Sequence, residues 1–167
     1  MDVLELQTLA SELVDDAAVA VEALALAERR YAEGTPASFD SCAHHLSRCY
    51  NVIEQMGLRV AKAFENSLDD DKGWRTELIR RLSIRIPSVR PALFSEDIRQ
   101  PLQELRAFRH VFVHACDLGI DPDKLALILK YGRTVADRLP ALVTAFVATV
   151  AKDQGLELPL ADWRPAL

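Results

Sequence analysis

From Val3 to Tyr31 the apolar residues return at intervals of three and four, through Leu6, Leu9, Ala10, Leu13, Ala17, Val21 and Leu24. That spacing draws one stripe along an α-helix; a strand would need alternation instead. A helix with such a stripe is stable in water only when something covers it. Elsewhere the chain offers no convincing strand alternation, no internal repeat and no low-complexity tract, so the cover must come from other helices. The expected class is all-α.

Breakers divide the chain into about five helices. Gly34-Thr35-Pro36 closes the first, with a glycine suited to the left-handed C-terminal position and a proline that cannot continue the helix. A second helix is expected from Ser38 to Asn66, carrying Leu46, Tyr50, Ile53, Leu58 and Phe64. Leu68 to Gly73 is polar and acidic and reads as a loop. Trp74 to about Ile86 should form a short amphipathic helix that stops before Pro87. Two prolines make Pro87 to Phe94 irregular or extended. Ser95-Glu96-Asp97 supplies a capping hydroxyl and first-turn acids, but Pro101 then requires a start near Gln100 or a kink. This helix should continue through Leu102–Leu118 to Gly119. Asp121-Pro122 opens the last one, which runs to about Gln154 with a kink at Pro140. Short links between long helices predict an antiparallel up-and-down bundle over residues 1–155. Residues 156–167 hold Pro159, Trp163 and Pro165 and form an apolar tail without helical period.

Composition narrows the function classes. The 167 residues suit one domain, and half are hydrophobic, against six Gly and eight Pro, which excludes disordered and collagen-like chains. Leu139 to Ala151, the most apolar stretch, falls short of the roughly 18 residues of a membrane span. Asp2 and Glu5 precede the first apolar block, unlike a secretory signal. A cytoplasmic protein with no membrane partner is expected. Cys42, Cys49 and Cys116 are odd in number and form no Cys-x-x-Cys pair, against a disulfide framework or structural zinc. A net charge of −5 disfavours broad nucleic-acid binding. Yet Arg75, Arg80, Arg81, Arg85, Arg90, Arg99, Arg106 and Arg109 crowd the middle of the chain, either as solvated helix faces or as a local anion-binding surface.

The densest chemistry lies on the fourth helix. At roughly 100° per residue, Arg106, Arg109, His110, Val113 and Asp117 share a broad face, with His114 at its border one turn beyond His110. Phe108, Val111, Phe112 and Ala115 should turn towards the bundle. Arginine offers a forked donor to phosphate, and histidine moves a proton near neutral pH. Other readings stay open at this point. His110 and His114 have metal-ligand spacing, but no third ligand is evident, so no metal is expected. The cluster also fits a polar stripe pairing with Glu104 and Asp117. His44 and His45, being adjacent, diverge around their helix and are expected at the surface or core edge.

The string Leu105-Arg-Ala-Phe-Arg109-His110-Val-Phe-Val-His114-Ala-Cys116-Asp-Leu resembles the signature of the HEPN superfamily. That signature is an arginine, four to six residues, a histidine, then often one residue and a tyrosine. HepT-like toxins resemble it most closely, with Arg-Asn-x-x-x-His-x-Tyr on a late helix; the Pro-rich link before the motif and the Asp-Pro after it agree. The resemblance implies a helical bundle that dimerises so that two motifs line one cleft. It implies a metal-independent ribonuclease, needing no cofactor, that acts as a toxin beside a minimal nucleotidyltransferase antitoxin. Arg109 and His114 would be its catalytic pair, with His110, at the position usually held by Asn, and Arg106 supporting them or binding RNA. Cys116 stands where the family has the tyrosine that the antitoxin adenylylates, which removes that acceptor. The RNA 2′-hydroxyl would attack the adjacent phosphorus, with His114 as general base or acid and Arg109 stabilising the phosphoryl charge. Because Arg109 and His114 lie about 140° apart on the wheel, a homodimer is expected to complete the site. Both tRNA and mRNA are open as targets. Competing with this are a non-catalytic HEPN module that pairs with a nucleotidyltransferase, and a helical adaptor.

Overall fold

Asp2 and Glu5 start the first helix by capping each other. The Glu5 N–H donates to Asp2 Oδ1 at 2.8 Å, and the Asp2 N–H donates to Glu5 Oε2 at 2.8 Å. Two N–H groups that the helix itself cannot satisfy are thereby paired. The computed structural model describes residues 1–65, 74–114 and 119–156, with backbone alone for Trp74, Arg75, Thr76 and His114. Within these residues the helices are α1 Val3–Ala32, α2 Pro36–Glu65, α3 Trp74–Leu82, α4 Glu96–His114 and α5 Pro122–Asp153. The one β-type pairing among them is an isolated bridge between Ile86 and Arg90. The fold is an all-α helical bundle, as the apolar spacing predicts.

The long helices pack as neighbours in a ring: α1 on α2, α2 on α4, α4 on α5 and α5 on α1. The turn from α1 to α2 passes through Gly34, whose φ of +69° is cheap for glycine alone. The Tyr31 hydroxyl near the end of α1 donates to the Pro122 carbonyl at the start of α5. Farther along, Leu24 lies over Gly132, so α1 and α5 run antiparallel. A Cβ on Gly132 would fall 2.8 Å from Leu24 Cδ1 and 3.4 Å from Leu46 Cδ2. The missing side chain lets three helices close over one another, and Leu6, Leu13, Leu46, Leu102, Leu105 and Phe146 fill the interior.

One helix boundary differs from expectation. The third helix stops at Leu82 rather than near Ile86. The Leu82 carbonyl accepts from the N–H groups of Leu93 and Phe94 at 2.9 and 3.1 Å, so the returning chain takes an acceptor that a longer helix would use. Arg90 locks this return. Fully buried, it donates to Glu65 Oε1 from Nη2 at 2.7 Å and from Nε at 3.0 Å, and to the carbonyls of Arg81, Ile84 and Pro91. The proline-containing link is thus irregular, as predicted, but tightly built. The fourth helix takes the earlier of the two expected starts, beginning at Glu96 directly after Ser95, and carries Pro101 inside it. The bond lost to the proline would have gone to the Asp97 carbonyl in the first turn, where the helix has least to lose.

The final helix, Pro122–Asp153, has the length and mean hydropathy of a membrane span, although no uncharged run in it is long enough. Its charges are sparse rather than absent, so an average passes where a run does not. Its apolar stripe, including Leu125, Leu129, Val135, Leu139, Val143 and Val147, is buried within the bundle. Residues 157–167, which include most of the expected tail, lie outside the described residues, as do Cys116 and Asp117.

Candidate functional site

Leu102 and Leu105 are buried and hold α4 against the core. One and two turns later, Phe108 and Phe112 are half-buried, their rings stacked at 5.9 Å and 8°. That ladder orients the last turns of α4 and decides what faces out. Arg106 and Arg109 are half-buried, His110 is exposed, and Val113 is 52% exposed. Val111 was expected to turn inward, yet it is 57% exposed. The core ends before α4 does, so the inward stripe has nothing to meet at that position. On the wheel, His110 and the backbone position of His114 fall between Val113 and Val111, so two apolar residues flank the histidine face. Beside it, Phe108, Val111, Phe112, Ile120 and Leu125 line an open apolar groove of about 250 Å³.

Behind the arginines stands a polar face of α2 that sequence reasoning missed. Ser47, Tyr50 and Glu54 are buried at 6%, 1% and 7% exposure. The Tyr50 hydroxyl lies within electrostatic range of Glu54, Arg106 and Arg109. Burial pushes it well above the usual phenol range, and Glu54 adds to that while the two arginines oppose it. Tyr50 therefore stays a neutral O–H group at any physiological pH. Among the described residues, Tyr50 Oη, Ser47 Oγ, Asn51 Oδ1 and Arg109 Nε are buried without a hydrogen-bond partner. Such atoms each cost about 1–3 kcal/mol if left unmade, and two of them, Tyr50 Oη and Arg109 Nε, belong to side chains within electrostatic range of each other. A signal existed in the sequence: Ser47, Tyr50 and Glu54 recur at helical spacing on a core-facing stretch where purely apolar residues would serve.

The remaining arginines sort themselves by pairing. Arg80 is tied to Glu77, Arg81 and Arg90 to Glu65, Arg85 to Asp153, and Arg99 to Glu96. Most of the mid-chain cluster is therefore internal ion pairing. Arg109 makes no ion pair among the described residues, with Glu104, proposed as a stripe partner, or any other carboxylate. Asp117, the other proposed partner, is not among the described residues. His44 is exposed and His45 half-buried, as expected for the core edge. Burial lowers the His45 pKa, helped by His44, Arg48 and Arg30. Among the described residues no three His, Cys, Asp or Glu side chains gather as a metal site would require.

The structure thus brings Arg106, Arg109 and His110 together at the C-terminal end of α4, over Tyr50 and Glu54 of α2. His114 is the last residue of that helix, on the same end. Such an arrangement can present a guanidinium and imidazoles to a phosphate while a neutral hydroxyl and a carboxylate sit underneath. A family model described as HepT-like protein matches residues 41–150, from early α2 to near the end of α5. No curated protein and no solved structure matches the chain.

Proposed function

This chain belongs to the HepT-like family, and from that premise we propose that it is a metal-independent endoribonuclease toxin, working in the cytoplasm as a homodimer. The observation that carries the reading is Arg109. It is the motif arginine, it lies at the exposed end of α4 beside His110, and among the described residues it makes no ion pair with a carboxylate. A guanidinium left in this state is suited to a phosphate.

In this mechanism His114 takes the proton from an RNA 2′-hydroxyl as its oxygen attacks the neighbouring phosphorus. The 2′-O–P bond forms and the P–O5′ bond breaks. The leaving 5′-oxygen collects a proton from the second His114 of the dimer, leaving a 2′,3′-cyclic phosphate and a 5′-hydroxyl. Arg109 stabilises the charge that builds on the non-bridging oxygens. His110 and Arg106 hold flanking phosphates. An overall charge of −5 is compatible with this, because a cleft needs only a few local contacts.

A minimal nucleotidyltransferase is the proposed antitoxin. Cys116 replaces the tyrosine that such partners modify, so neutralisation works by binding, or through another hydroxyl such as Tyr131, half-buried on α5. The same departure favours one competing reading, a non-catalytic module that serves the transferase. RNA cleavage separates the two. His114→Ala and Arg109→Ala should each abolish cleavage and growth toxicity while the thermal midpoint stays close to wild type, and excess chelator should leave the wild type active. Full cleavage by His114→Ala would reject the mechanism, and a wild-type protein that binds the transferase without cutting RNA would favour the module.

A further inference from the structure

Tyr50 and Arg109 each bury a polar atom that has no hydrogen-bond partner among the described residues, and the two side chains lie within electrostatic range of each other. Tyr50 is 1% exposed, so its hydroxyl cannot reach a substrate directly. Arg109 is only half-buried, with its Nε inside. That leaves the terminal nitrogens, which carry four of the five guanidinium N–H donors, to work outside. The buried carboxylate of Glu54 also lies within electrostatic range of Tyr50. A phenol in reach of both a carboxylate and a guanidinium has one natural polarity: its hydrogen points to the anion and its lone pair to the cation. A phenylalanine would fill the same space without any orphaned oxygen, so the hydroxyl has no packing purpose.

We propose that Tyr50 is a positioning residue for Arg109: in the RNA-loaded site its hydroxyl donates to Glu54 and accepts from the Arg109 Nε–H, fixing the outward fork of the guanidinium on the scissile phosphate. The proposal rests on the ribonuclease reading for its activity readout, but not for its spectroscopic one. Hydrogen bonds of this kind commonly tighten only when substrate arrives. Glu54 holds the phenol, the phenol holds Nε, and the terminal nitrogens keep the geometry that a developing phosphorane needs. Asn51 Oδ1 and Ser47 Oγ, on the same stretch of α2, continue the polar floor.

The test is Tyr50→Phe in the full chain. Its thermal midpoint should equal or exceed that of wild type, because the substitution removes only an unpaired oxygen. The kcat for single-stranded RNA should fall about tenfold, the loss expected for one charge-assisted hydrogen bond, with KM nearly constant. Glu54→Gln should shift kcat in the same direction. The second readout follows the Arg109 Nε–H resonance, assigned with Arg109→Lys, in the presence of an all-2′-O-methyl oligonucleotide. It should exchange slowly with water in wild type and quickly in Tyr50→Phe. An active wild type with an equally active Tyr50→Phe overturns the proposal and leaves the ribonuclease reading standing. An inactive wild type overturns the ribonuclease reading, and the resonance then decides on Tyr50. An Nε–H that exchanges freely in wild type with oligonucleotide present, or is equally protected in the variant, overturns the positioning role.

Discussion

Two residues well away from the motif show how differently burial treats charge and thiol. The Arg90 side chain is 0% exposed and Glu65 9%, whereas Arg81, the second cation on Glu65, is 42% exposed. Removing Arg90 takes the buried partner of a largely buried carboxylate, leaving it only the half-exposed Arg81, and frees three carbonyls, so Arg90→Ala should cost about 3–5 kcal/mol. Arg81→Ala takes away a half-exposed partner and should cost about 1 kcal/mol or less. Urea unfolding of both variants measures the contrast; equal losses would contradict it. Cys42 and Cys49 are buried, and burial pushes both thiols up to about 12 from an ordinary 9.0. The folded state therefore keeps its thiol protons longer than the unfolded state does. The associated stability is full below pH 9 and is lost as pH rises from 9 towards 12, at up to about 1.4 kcal/mol per pH unit for each thiol. Native protein at pH 8 should resist iodoacetamide at Cys42 and Cys49 and react there on unfolding; peptide mass mapping reads the difference.

At the scale of elements, close approach is governed by glycine. Gly132→Ala places a methyl against the movable end of Leu24, and the overlap is offset by the better helix propensity of alanine, about 1 kcal/mol. The net change should stay within about 1 kcal/mol. Gly132→Val adds branching atoms where Leu24, Leu46 and Leu105 already meet, and should destabilise by about 1–3 kcal/mol through overpacking. Thermal melts distinguish the pair, and a valine variant as stable as wild type would show that the α1, α2 and α5 contact can open freely. The helices themselves were legible because spacing, caps and breakers are local. Gly34 and Asp121-Pro122 mark ends that the structure keeps, with Asp121 Oδ1 accepting from the Asp123 N–H at 3.0 Å. The end of α3 was not legible, because Leu82 gives its carbonyl to residues that return eleven and twelve positions later.

For the whole molecule, the outward face of α4 sets the expected assembly. Val111 and Val113 flank the histidine positions and are each more than half exposed, and a second copy of that face would cover them while bringing two motifs together. Each methyl-bearing side chain buried this way contributes on the order of 1.5–3 kcal/mol at most. Val111→Asp should therefore give a monomer by light scattering at micromolar concentration, with an unchanged helical signal and no RNA cleavage. A stable dimer in that variant would move the interface elsewhere. An active monomer would remove the need for a second histidine.

The sequence alone determined that this protein is a helical bundle, where most of its helices begin and end, and that Arg109, His110 and His114 share the end of one late helix. Those properties depend on residues a few positions apart, and helical periodicity, capping and a motif string are all short-range quantities. Tertiary structure decided which arginines are occupied. Glu65 takes Arg90 across twenty-five residues and Asp153 takes Arg85 from the far end of α5, while Arg109 makes no ion pair among the described residues. It also decided that Val111 faces solvent and that Tyr50 and Glu54 stand beneath the motif. Those outcomes turn on where the core stops and on which face of α2 meets α4, and packing between segments more than fifty residues apart is set by the shape of the filled interior.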